Sequence, residues 1–159
     1  MALSMNQRRG AAAAIAVSLA IPAEGLRQVA YYDPPGILTV CYGSTINVDP
    51  KKVYSLDECR ARLNADMLAA VERVEKCAPG LPVPMLAAWS DAVYNLGPTI
   101  VCNQARSTAA RLLSEGRFID ACSQLPRWDK ARVAGVMVPL PGLTKRRTKE
   151  MTLCLSGTT

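Results

Sequence analysis

The chain has 159 residues, 50% of them apolar, so it can bury one compact core but not two independent domains of ordinary size. Nineteen Lys and Arg against thirteen Asp and Glu give a formal net charge of +6, which attracts nucleic acid, anionic lipid and carboxylate-bearing cell-wall polymers. Histidine is absent, which excludes a Ser-His-Asp triad, a Cys-His dyad and a His-ligated zinc site.

The amino-terminal segment has the outline of an export signal. Arg8 and Arg9 precede an uncharged, alanine-rich run from Gly10 to Ala23. These 14 residues are fewer than the about 20 that span a bilayer, so a permanent membrane anchor is not expected. Transient inner-membrane association through residues 10–23, or cleavage after Ala23, stays open. The alternative is that the run is the first helix of the folded domain, because alanine has the strongest helix propensity.

A β-hairpin and a long helix are predicted next. Residues 26–32 and 37–42 are rich in β-branched and aromatic side chains and flank the turn sequence Asp33-Pro34-Pro35-Gly36. Ser55 and Glu58 then form a capping box, and apolar residues follow at helical spacing as far as Cys77. The sequence therefore predicts an amphipathic helix over about 56–77.

Further helices are predicted over 85–96, 108–115, 118–125 and 144–155, with an irregular stretch at 138–142. The fold class is thus α+β and mainly helical. We expect a small lobe with one hairpin (about 24–58), a linking helix (about 56–77) and a larger all-helical lobe (about 78–155). Two lobes joined by one helix leave a cleft between them.

Six cysteines are spread along the chain without any C-x-x-C pair. Their even number and the export-like segment favour three disulfides, whereas six buried free thiols in a cytosolic protein are the alternative. Six cysteines allow 15 pairings, so the residues alone do not decide the connectivity. The candidates are Cys41, Cys59, Cys77, Cys102, Cys122 and Cys154.

Two acids and a hydroxyl lie near the predicted hairpin. Glu24 ends the first predicted helix, Asp33 lies at the turn, and Thr39 lies on the returning strand. Glycoside hydrolysis needs a protonated carboxylic acid for the leaving oxygen and an ionised carboxylate that attacks or activates water. A Glu24 buried among apolar groups would keep its proton, and an Asp33 exposed at a turn would be ionised. The alternative is that both acids are ordinary solvated residues.

Several segments resemble the signature of the phage-type muramidases, glycoside hydrolase family 24. The similarity begins with Glu24–Arg27, Ala30–Asp33 and Thr39–Thr45 and extends over about residues 20–155, including Tyr94–Gly97 and Gly142–Leu143 with Arg146-Arg147. It implies a lysozyme-like, two-lobed fold and an endolysin, without cofactor or metal, of the signal-arrest-release kind. Such an enzyme hydrolyses the β-1,4 bond between N-acetylmuramic acid and N-acetylglucosamine in bacterial peptidoglycan, which lyses the host cell, and acts after export to the periplasm or release to the cell wall.

The resemblance also implies roles for individual residues. Glu24 would be the general acid, Asp33 the carboxylate that orients or activates water, and Thr39 a residue that holds this water. The family is generally regarded as inverting, which predicts carboxyl groups about 6.5–9.5 Å apart. Tyr31 and Asn95 would line the cleft.

Two further expectations come from the resemblance. Either Arg146 or Arg147 would approach Glu24, where its charge would oppose the effect of burial on the acid. The family fold would bring neighbouring cysteines together in the pairs Cys41–Cys59, Cys77–Cys102 and Cys122–Cys154.

The basic last helix, with Lys145, Arg146, Arg147 and Lys149, prompts two non-catalytic alternatives: a nucleic-acid-binding module and a membrane-active protein. One Phe and two Trp offer little for base stacking, and a basic helix face is more often simply solvated. We therefore expect a monomer that binds peptidoglycan and no nucleic acid. Both alternatives predict that Glu24→Gln retains activity.

Overall fold

The structure is a computed structural model that describes residues 1–158. The bounds of its elements, in chain order, are α1 Met5–Ala23, β1 Arg27–Tyr32, β2 Leu38–Cys41, α2 Leu56–Cys77, α3 Val83–Leu96, α4 Thr99–Cys102, α5 Thr108–Ser114, α6 Phe118–Cys122, a 3-10 helix Leu125–Trp128, β3 Lys130–Val133, β4 Val136–Pro139 and α7 Pro141–Ser156.

The alanine-rich amino-terminal run forms α1 of the folded domain. Ser4 and Gln7 make a capping box at its start, and the buried face consists of Ala12, Ala13, Ala16 and Ala20. These small side chains let α1 pack closely against α2 and α3. At its amino-terminal end, Arg9 Nε lies 2.5 Å from a carboxylate oxygen of Glu75 on α2. No helix within residues 1–158 has the length and apolarity needed to cross a membrane.

The core is organised around α3, which packs against α1, α2 and α7. No residue of α3 is exposed, and its central turns, with Trp89 fully buried, are enclosed. A helix buried on all sides is expected to be apolar throughout. The clearest exceptions to this rule in α3 are Ser90 and Asp91, which are fully buried, and Asn95 near its end, which is half-buried.

The first predicted hairpin is present as β1 and β2, which pair antiparallel with Tyr31 opposite Thr39. The capping box at Ser55 and Glu58 is also present and begins α2, which ends at Cys77 as predicted. The predicted helix 118–125 ends earlier, at Cys122, and the chain continues into the 3-10 helix. A short helix, α4, was not predicted.

Three disulfides join the elements: Cys41–Cys59, Cys77–Cys102 and Cys122–Cys154. These are the pairs that the family resemblance implied. The first attaches β2 to α2, the second attaches α2 to α4, and the third attaches α6 to α7. The hairpin and both ends of the helical lobe are therefore covalently held.

The mainly helical fold class is confirmed, with one correction to the larger lobe. This lobe is not all helical, because β3 and β4 form a second antiparallel hairpin over 130–139, where no element was predicted. Only its last residues overlap the irregular stretch expected at 138–142. Its turn places Ala134 at φ 49° and Gly135 at φ 82°. Positive φ at both central residues is the geometry of a type I′ turn, for which Asn-Gly is the usual sequence. Because alanine occupies the first of these two positions, the sequence carries no pattern that predicts this turn.

Candidate active site

Glu24 lies where α1 ends and the chain turns toward β1. Its backbone N–H donates to the carbonyl of Ala20 at 2.8 Å, whereas its own φ of −96° and ψ of 142° are extended. The side chain is 24% exposed, so it is half-buried rather than fully enclosed. Its Oε1 accepts a hydrogen bond from Arg146 Nη1 at 2.6 Å.

Glu24 lines a groove of about 480 Å³ between the end of α1 and the start of α7. The walls are apolar on the α1 side and basic on the α7 side, where Lys145 and Lys149 are exposed. The lining residues are Leu19, Pro22, Ala23, Glu24, Asn95, Leu140, Gly142, Leu143, Lys145, Arg146 and Lys149. The groove thus combines a carboxyl group with room for a ligand.

The β1–β2 turn holds Asp33 firmly. Its Oδ1 accepts from the backbone N–H of Ile37 at 2.7 Å, and its own N–H donates to the Ile37 carbonyl at 3.0 Å. Asp33 is half-buried rather than exposed as expected. On the returning strand, Thr39 is buried, and its hydroxyl donates to the same Ile37 carbonyl at 2.9 Å. Tyr31 lies opposite Thr39 and stacks against Arg27, with the guanidinium 4.4 Å from the ring centre.

Of the two candidate arginines, Arg146 is the one that reaches Glu24. Arg147, one residue further along α7, is fully buried and donates from Nη2 to Asn95 Oδ1 at 2.9 Å. Asn95 therefore lines the groove and also contacts the buried charges behind it.

Two buried acids in this region, Asp91 on α3 and Glu150 on α7, were missed by the sequence analysis. Asp91 accepts two hydrogen bonds from Arg146, at 2.9 Å from Nε and 2.7 Å from Nη2. Glu150 accepts from Arg147 Nη2 at 2.8 Å. One signal could have pointed to Asp91, because it is the only charged residue of α3 and lies in its most apolar stretch.

Burial and pairing shift the pKa values in this cluster. Burial raises the pKa of Glu150 to about 10, with a hydrogen bond to Asp91 adding to the effect, so this carboxyl is protonated at neutral pH. Burial alone would lower the pKa of Arg146, but its bonds to Asp91 and then Glu24 more than offset this and raise it. Burial lowers the pKa of Arg147, with partial compensation from Glu150.

A second polar group connects the hairpin lobe to the helices. Tyr94 of α3 donates to the backbone carbonyl of Tyr42, and burial, followed by the charge of Glu24, raises the pKa of its hydroxyl. Asp66 of α2 is half-buried beside Ser44, and burial raises its pKa. Within residues 1–158, no His, Cys, Asp and Glu side chains are grouped so that they could hold a metal ion.

Known proteins resemble this chain over most of its length. The model of the Phage lysozyme family matches residues 22–150. A SAR-endolysin of Bacteriophage PS119 is 36% identical over 136 residues, which are 84% of this chain and 77% of that protein.

Solved structures of a phage endolysin and of a muramidase domain are also similar to this chain. The active form of the P1 phage endolysin Lyz superimposes with a TM-score of 0.76 and 25% identity, covering 91% of this chain and 85% of that one. The muramidase domain of SpmX from Asticaccaulis excentricus has a TM-score of 0.78 and 28% identity, covering 88% of this chain and 94% of that one.

Proposed function

This chain belongs to the phage lysozyme family, and on that premise we propose how its residues divide the work of cutting a glycan strand. The protein is an endolysin, a lysozyme-type glycosidase that acts on bacterial peptidoglycan. The scissile bond is the β-1,4 bond between N-acetylmuramic acid and N-acetylglucosamine. The observation that carries the proposal is Glu24 in the groove, paired with Arg146 at 2.6 Å.

Glu24 is the general acid. In its protonated form it donates to the glycosidic oxygen while the bond from that oxygen to the anomeric carbon breaks. The carboxylate that remains is stabilised by the Arg146 guanidinium, which already donates a hydrogen bond to it. The half-buried position supports this role, since the carboxyl group contacts the groove and the protein interior.

Asp33 is the carboxylate that activates the attacking water, and Thr39 helps to hold that water. The hydrogen bonds that fix Asp33 to the turn support this role, because a preorganised base needs no reorganisation during reaction. The Thr39 hydroxyl donates to Ile37, so its lone pairs can accept from a water. Attack from the face opposite the leaving group inverts the anomeric carbon. Tyr31 and Asn95 line the cleft and contact the sugars.

Residues 10–23 also associate with the inner membrane before the enzyme is active, after export toward the periplasm. The run is uncharged and faces the domain through alanines, so residues 10–23 would carry no charged side chain into the lipid. Glu24 follows α1 directly, so moving α1 into lipid would also remove the acid from Arg146. Membrane flotation of the expressed chain, with and without residues 10–23, tests this association.

The basic last helix argues against the nucleic-acid alternative. Two of its four basic residues, Arg146 and Arg147, are buried and bonded to Asp91 and Glu150, which leaves Lys145 and Lys149 exposed. Nucleic-acid-binding proteins use a continuous basic patch, and two exposed lysines on this helix do not form one. We therefore expect the protein to act as a monomer on peptidoglycan alone.

The deciding experiment is mass spectrometry of products released from purified peptidoglycan. Products with reducing-end N-acetylmuramic acid are expected, whereas anhydro ends or free peptides would point to another class of enzyme. Glu24→Gln is expected to abolish release while the fold is kept. Glu115→Gln, at an exposed glutamate that does not line the groove, is the matched control and should act like the wild type.

A further inference from the structure

Ion pairs run from Glu24 into the centre of the helical lobe. The Arg146 guanidinium uses Nη1 for Glu24 at 2.6 Å, and Nε and Nη2 for the two oxygens of Asp91 at 2.9 and 2.7 Å. The Arg146 side chain is 4% exposed and that of Asp91 is 0% exposed. Water is therefore largely excluded from the Arg146–Asp91 pair. Glu24, the third residue of the group, is partly exposed.

We propose that Asp91 is a positioning residue for the catalytic acid, acting through the two-bond pair that fixes the Arg146 guanidinium. The proposal rests on the role of Glu24 given above. An arginine side chain has many rotamers, and one bond to Glu24 would leave its plane free to rotate. The parallel bonds to Asp91 fix that plane and direct Nη1 at Glu24 Oε1. Asp91 on α3 thus sets the rotamer of Arg146 and the distance and direction of its hydrogen bond to Glu24.

Glu150 does not take over this role, although it is buried beside the same arginines. Its Oε1 is 3.8 Å from Arg146 Nε but 2.8 Å from Arg147 Nη2, so its closer partner is Arg147. Burial keeps Glu150 protonated at neutral pH, so it adds no full negative charge. Asp91 is then the anion that balances Arg146 from the inner side.

The Asp91 charge also offsets the Arg146 charge that faces Glu24. Replacing Asp91 by asparagine removes a negative charge and leaves the Arg146 charge less compensated, and both effects favour the ionised form of Glu24. The acid would therefore be lost at a lower pH, and the alkaline limb of the activity profile would move downward. The substitution keeps the side chains of the other charged or titratable groups around the acid: Lys145, Arg147, Lys149 and Glu150 on α7, Tyr94 on α3, and Asp66 on α2. Among these, Glu150 loses its hydrogen bond to Asp91, which raises its pKa less than burial does.

The test compares Asp91→Asn with Ser90→Ala, using kcat, KM and the pH profile on solubilised peptidoglycan. Ser90 is the matched control because it is equally buried on the same helix and bonds only within that helix, to the Leu86 carbonyl. For Asp91→Asn we expect kcat to fall by about tenfold to a hundredfold with KM nearly unchanged, and the alkaline limb to shift to lower pH. Ser90→Ala should leave the profile in place.

A second variant, Arg146→Lys, keeps the charge but cannot form the two-bond pair. A loss of kcat of about tenfold or more is expected, and adding Asp91→Asn should then cost less than it does alone. The proposal is overturned if Asp91→Asn matches Ser90→Ala, or if the lysine variant keeps wild-type kcat. The kcat of Arg146→Lys tests the positioning role of Asp91 even if Asp91→Asn does not fold. An active Glu24→Gln would instead overturn the proposed function itself.

Discussion

Arg146 Nη1 donates to Glu24 Oε1 across a distance of 2.6 Å, although 122 residues separate the two in the chain. The contact exists because α1 and α7 both pack against α3, which brings the end of the first helix beside the start of the last. The acid and its cationic partner therefore depend on the complete fold.

Replacing Arg146 by glutamine should destabilise the protein as well as impair catalysis. Asp91 would stay fully buried without its cation, and breaking a buried ion pair in this way costs about 3–5 kcal/mol. Urea unfolding followed by circular dichroism measures this loss. Arg73→Gln, at an exposed arginine of α2, is the control, for which a change under about 0.5 kcal/mol is expected. Equal effects in the two variants would contradict the structural role of the pair.

The stereochemistry of the product tests the roles of Asp33 and Thr39. If Asp33 activates water rather than attacking the sugar, cleavage of a β-linked substrate first releases the α-anomer. Proton NMR in the first minutes of digestion distinguishes it from the β-anomer before mutarotation. Asp33→Asn should abolish release, and Thr39→Ser, which keeps the hydroxyl, should retain more activity than Thr39→Ala. A β-anomer as first product would show that the enzyme retains configuration.

Removing the Cys41–Cys59 disulfide should loosen the hairpin that bears Asp33 and Thr39. The cysteines are 18 residues apart, for which loop-closure entropy predicts a loss of about 3 kcal/mol in unfolding free energy. The double alanine variant should also lose kcat below its melting temperature. Removing Cys122–Cys154, 32 residues apart, is the control, because it should destabilise the protein to a similar degree without lowering kcat. Similar kcat in the two variants would argue against a specific role in the hairpin.

Glu150 should make stability depend on pH. Its pKa is about 10 in the folded protein against 4.5 ordinarily, so between these values the folded state binds a proton that the unfolded state has lost. This contribution to stability is fully present below pH 4.5 and is lost as pH rises toward 10.

Glu150→Gln removes that dependence, because the amide has no proton to lose. The variant should therefore gain stability relative to the wild type as the pH is raised from about 5 to 9. Denaturant unfolding at several pH values measures the difference, with Glu115→Gln as the exposed control. A difference that does not change with pH would mean that Glu150 is ionised in the folded protein.

The sequence by itself determined the elements that depend on neighbouring residues. The capping box at Ser55 and Glu58 and the Asp33–Gly36 turn have local signals, because each is stabilised by bonds within a few residues. The second hairpin lacked such a signal, since Ala134 occupies a position that usually holds asparagine. The resemblance of short motifs also identified the family and the candidate acids, although their division of roles stays a prediction.

Only the tertiary structure decided which arginine meets Glu24 and what lies behind it. Arg146 and Arg147 are adjacent, so their side chains leave the helix about 100° apart, and the packing of α7 on α3 selects the one that faces the groove. Asp91 lies 55 residues from Arg146, and no local pattern connects them. The strength of that pair comes from the exclusion of water, and burial is a property of the folded chain rather than of any segment.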